Sequence, residues 1–174
     1  MIFFVSTIAI IQSFAISLGV GASTLAILNF FVAIKDGQID ETERRLMGVG
    51  YVVLRIAMVA ILLTTLALMH IQYVYQGSGS FSVLEWGQLF TLVVLFLNAG
   101  LMTAHVIPSN FGPAIQAGNW YTLGFLAALK PILEVNLSWL QFGLMYLTWI
   151  VLTVAAVNLV MAWMKAHRHG MISK

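Results

Sequence analysis

The chain has 174 residues, 61% of them hydrophobic and only 8% charged, with a formal net charge of +2. Soluble domains carry about 25% charged residues, so this composition excludes a water-soluble fold and puts nearly all of the mass in a bilayer. The small, scattered positive charge excludes nucleic acid as a partner, and the absence of cysteine removes disulfides, thiolate metal sites and cysteine nucleophiles.

The first apolar segment covers about residues 2–34. Met1 to Ser6 carries no Lys or Arg, so it lacks the basic start of a signal peptide and reads as a retained helix. Ser13, Ser17 and Gly21 recur at four-residue spacing, with Gly19 and Ser23 nearby. Such a small-residue face lets helices approach closely or borders a substrate path. The connection Lys35–Glu43 is the one strongly polar loop. Asp36, Gly37, Ile39 and Glu43 fit part of a calcium loop, but Val32 and Ile34 stand where ligands are required. Gly37 is therefore expected to make a turn, and Asp40 with Glu43 has the spacing of a capping box.

The second segment, about 47–75, contains Arg55 with no acidic residue within ten positions. A charged side chain at bilayer depth costs a few kcal/mol or more, so it is expected to face a partner, a ligand or water. Gln76 to Ser80 is a Gly/Ser-rich turn, followed by the third segment, about 83–106. The fourth, about 113–130, is borderline. Gly112-Pro113 opens it, Pro131 closes it, and its rise of about 27 Å just spans the hydrocarbon. The fifth, about 138–164, runs into a basic tail, Lys165-Ala166-His167-Arg168-His169, suited to anionic lipid.

Charge placement decides between four and five spans. With five, Lys35, Arg44, Arg45, Arg55, Lys165, Arg168 and Lys174 share one side and Lys130 alone takes the other. The positive-inside rule then puts the N-terminus outside and the C-terminus in the cytoplasm. Tyr73, Tyr75, Trp86 and Trp139 fall at the outer interface, Tyr51 and Trp163 at the inner one, as aromatic belts require.

Two polar layers result. Arg55, Asn29, Asn98 and Asn158 lie at comparable depth near the inner side. They read either as amides joining helices or as a pocket in which Arg55 holds an anionic group or partner. His70, Glu85 and Gln88 lie near the outer side with Gln12, Gln72 and Gln141. His70 with Glu85 or Gln88 reads as a hydrogen-bonded pair, or as a metal or proton site. His70 and His105 are at opposite ends and cannot share one iron; each could supply a single haem or metal ligand. There is no Gly-x-Ser-x-Gly, HExxH or phosphate loop, which argues against an enzyme.

Gly19-Val20-Gly21-Ala22-Ser23-Thr24, Lys35-Asp36-Gly37-Gln38-Ile39 and Leu97-Asn98-Ala99-Gly100, followed by His105 and Pro108, resemble a family of short, uncharacterised bacterial multi-pass membrane proteins. The general plan, with an arginine early in helix two, also resembles copper-resistance-D-type and other haem-associated bundles. The resemblance implies a bacterial cytoplasmic membrane location. Those bundles place histidines to hold haem within the membrane, whereas the first helix here has none.

The expectation is an all-α integral membrane bundle of five transmembrane helices, N-out and C-in, in one domain. The function expected first is a small subunit, without a catalytic site of its own, of a larger redox or energy-converting membrane complex. One alternative is an electron-transfer protein binding haem b or quinone; the other is a small transporter. The expected partners are lipid and other membrane subunits.

Overall fold

The computed structural model describes residues 2–36, 40–77, 81–108, 111–130 and 137–172. The turn expected at Gly37, the Ser78–Ser80 stretch and Pro131 lie outside them, as do the side chains of Lys165 and His167–His169. Five helices run back and forth: α1 (Ile2–Asp36), α2 (Glu41–Gln76), α3 (Val83–Thr103), α4 (Gly112–Leu129) and α5 (Trp139–Ile172). Four of them, all but α4, are long and apolar enough to cross a membrane. Large apolar side chains such as Phe3, Phe14, Leu63 and Leu147 are exposed around the bundle, the surface expected of a protein solvated by lipid.

The helix boundaries have local causes. Helix α2 begins at Glu41, ahead of the apolar run from residue 47, because the expected capping box forms. Asp40 Oδ1 accepts from the Glu43 amide at 2.6 Å, and Glu43 Oε2 accepts from the Asp40 amide at 3.2 Å. Helix α3 ends at Thr103 rather than 106. His105 takes a left-handed φ of 58°, its amide donates to Met102 O and the Val106 amide donates to Leu101 O. Those two bonds are a Schellman stop. Pro113 in the first turn of α4 needs no amide partner there. Helix α5 continues past residue 164 through the basic tail.

Helix α4, the one of the five without a span-length apolar stretch, is the most enclosed. Ala114, Ala117, Trp120 and Leu123 are fully buried, and Trp120 sits among Ile16, Ile61, Leu92 and Leu95. Glycines make this possible. A methyl group added at Gly19 would overlap the Trp120 ring, and one at Gly87 would press on Phe142. The face of α1 that packs is Ala15, Ile16, Gly19, Ala22 and Ser23, while Ser13, Ser17 and Gly21 are exposed. The expected four-residue stripe therefore points outward and borders no path through the bundle. A single Gly19 opposite a tryptophan sets the close approach instead.

The lengths are unequal. Helices α1, α2 and α5 have 35, 36 and 34 residues, against 21 for α3 and 18 for α4. The excess of α2 and α5 lies mainly at the end where α3 stops and α4 starts, and that of α1 mainly at the other end. Beyond Ala114 the core is completed by Ile27, Phe30, Phe31, Val157 and Met161 from α1 and α5.

Candidate functional site

The four residues expected to form a pocket around Arg55 do not converge. Arg55 is on the exposed face of α2. Asn98 points the other way, into the bundle, where its Nδ2 donates to Gly112 O at 3.0 Å and to Gln116 Oε1 at 2.7 Å. Asn158 Nδ2 donates to Val154 O in its own helix at 2.8 Å, and Asn29 is half-buried on α1. The physical reason is the helical repeat: equal depth does not make equal azimuth, and Arg55 lies about 100° round the helix from the Leu54–Met58–Ile61 stripe that packs inward.

The outer histidine pair is not formed either. His70 is exposed, and Glu85 turns to other partners. Glu85 Oε2 accepts from the Ser82 amide at 2.8 Å and from Gln72 Nε2 at 3.4 Å, and its Oε1 lies 3.3 Å from Lys130 Nζ. One carboxylate thus caps α3 and ties it to the ends of α2 and α4. Gln88 and Gln12 each donate to Thr65 Oγ1, at 3.0 and 2.9 Å, joining α1, α2 and α3. A cavity of about 10 Å³ among these groups has room for about one water. His105 is exposed, with Nδ1 3.3 Å from Met102 O, and serves as the helix stop described above. Among the described residues no three His, Asp or Glu side chains come together as a metal site.

The polar groups missed in the sequence belong to α4 and α5. Tyr146 Oη donates to Asn119 Oδ1 at 2.7 Å, Asn119 Nδ2 donates to Ile115 O, and Trp149 Nε1 donates to Gly118 O at 3.0 Å. Tyr121 and Thr24 share a hydroxyl bond of 2.8 Å between α4 and α1. Among the described residues, the buried Asn98 Oδ1 and Trp120 Nε1 find no hydrogen-bond partner. The signal was present: Gln116, Asn119 and Thr122 are what make the fourth segment borderline in hydropathy.

Towards the Glu85 end, α4 and α5 diverge and leave a half-open groove of about 640 Å³, within the range of about 300–1,000 Å³ usual for small-molecule sites. Its walls are Leu84, Phe125, Leu126, Phe142 and Trp149, and Thr122, Tyr146 and Thr148 bring hydroxyls to it. The two buried hydroxyls are already donating, Thr122 to Gly118 O and Tyr146 to Asn119, while Thr148 stands at the exposed rim. What remains is an apolar trough with edge-on aromatic pairs, Phe125–Trp149 at 5.0 Å among them. It suits a hydrocarbon chain and offers no obvious anchor for a charged head. The chain matches no protein-family model, no curated protein and no solved structure.

Proposed function

We propose that this chain is a bacterial cytoplasmic-membrane protein that crosses the bilayer five times, N-out and C-in. It serves a larger membrane assembly as a non-catalytic subunit that holds a hydrocarbon-tailed molecule, such as a quinone or lipid, between α4 and α5. The observation that carries this reading is the apolar groove of about 640 Å³ at the side of an otherwise well-tied bundle. The buried polar side chains around it support the same reading. Asn119, Tyr146, Trp149 and Thr122 are committed to one another or to backbone carbonyls, which stiffens the groove without placing a reactive group in it.

The test is organic extraction of the protein purified in mild detergent, with mass spectrometry of what comes with it. One class of tailed molecule should be retained in near-stoichiometric amount. Ala128→Trp and Thr148→Trp fill the groove from exposed rim positions, so they should expel that molecule while the bundle stays folded. Retention unchanged in both variants would overturn the groove assignment. Copurification of other membrane chains tests the subunit role separately.

A further inference from the structure

Arg55 lies outside the groove and outside the buried polar groups. On α2, Arg44, Gly48, Tyr51 and Arg55 follow at steps of four, three and four, which stacks them on one face. All four are exposed. The same face continues as Val59, Leu66 and Tyr73, also exposed, so it changes from apolar to cationic at Arg55. The rise from Arg55 to Tyr75 is about 30 Å, the thickness of a hydrocarbon core. With Tyr73 and Tyr75 at one headgroup level, Arg55 stands at the other, and its long stem lets the guanidinium reach the interface.

Neither Arg44 nor Arg55 has an ion pair or side-chain hydrogen bond among the described residues; the ion pair they include is Lys130–Glu85. Of the nearby acids on α2, Glu43 is engaged in the capping box, and Glu41, one step of three before Arg44 on the same face, makes no ion pair among the described residues. A methyl group added at Gly48 would meet nothing within 4 Å, so the surface between the two arginines is open. Arg55 and Tyr51, one turn apart, stand at the hydrocarbon edge, and Arg44, about 16 Å further along the axis, lies beyond it on the headgroup side.

We propose that Arg55, one turn from Tyr51 on this face of α2, binds the phosphate of an anionic phospholipid in the adjacent leaflet, with Arg44 further out adding to the attraction. Arginine matches phosphate oxygens two at a time, which a lysine cannot do. The inference is independent of the α4–α5 groove, which lies near the opposite end of the bundle.

The experiment reconstitutes the full chain in nanodiscs of phosphatidylcholine, or of phosphatidylcholine and phosphatidylglycerol in equal parts. Retained lipid is read by native mass spectrometry and helix content by circular dichroism. The wild type should enrich phosphatidylglycerol. Removing both charges, Arg44→Gln with Arg55→Gln, should cut the enrichment by about fivefold per arginine. Arg55→Lys should fall between the two. Inorganic phosphate added in detergent should leave the enrichment unchanged; competition by phosphate would point to a free anion and overturn the lipid assignment. A photocrosslinker at Tyr51 in native membranes should label lipid, and a protein adduct would overturn the proposal. So would equal retention of both lipids by the wild type, or undiminished enrichment in the folded double variant.

Discussion

His105 is the non-glycine residue with a left-handed φ among those described, and it stops α3. Left-handed backbone costs an L-residue roughly 1–2 kcal/mol, and glycine avoids most of that. His105→Gly should therefore keep the Schellman stop and raise the thermal stability in detergent, by up to about 1 kcal/mol. Loss of stability would mean that the imidazole contributes more than its 3.3 Å approach to Met102 O suggests. The same residue shows how a chemical type misleads. Histidine in an apolar chain suggests a ligand, but backbone conformation explains this one.

At the scale of elements, Glu85 joins three helices. Its removal would take one acceptor from each of the Ser82 amide, Gln72 and Lys130, whereas removing Lys130 leaves a carboxylate that still caps α3. Glu85→Ala is thus expected to cost about 1–3 kcal/mol, and Lys130→Ala less than about 1 kcal/mol, since the lysine is exposed. Detergent or chemical denaturation of both variants and of the double variant checks the order. A lysine variant as unstable as the glutamate variant would contradict it. Elsewhere the helices owe their contacts to shape more than to polarity. Gly19 meets Trp120 and Gly87 meets Phe142, pairs separated in sequence and matched in volume.

For the whole molecule, the proposed five-span, N-out topology is the point to test. Helix α4 is enclosed by α1, α3 and α5, so it can cross a bilayer without being apolar on every side. Reporter fusions after residues 78, 134 and 174 should read outside, outside and inside. A C-terminal reporter on the outside would remove one span. The all-helical class, the number of helices and most of their limits were legible in the sequence. Long apolar runs admit few other structures in lipid, and Asp40, Glu43 and Pro113 mark their own positions by local chemistry. The outward stance of Arg55, the burial of Gly19 rather than Gly21, and the links Asn98–Gln116, Asn119–Tyr146 and Glu85–Lys130 were decided by the tertiary structure. Depth follows from counting residues along a helix, but azimuth follows from which neighbour each helix packs against. That depends on side chains far apart in the chain, and it separates a residue that faces a groove from one that faces the bilayer.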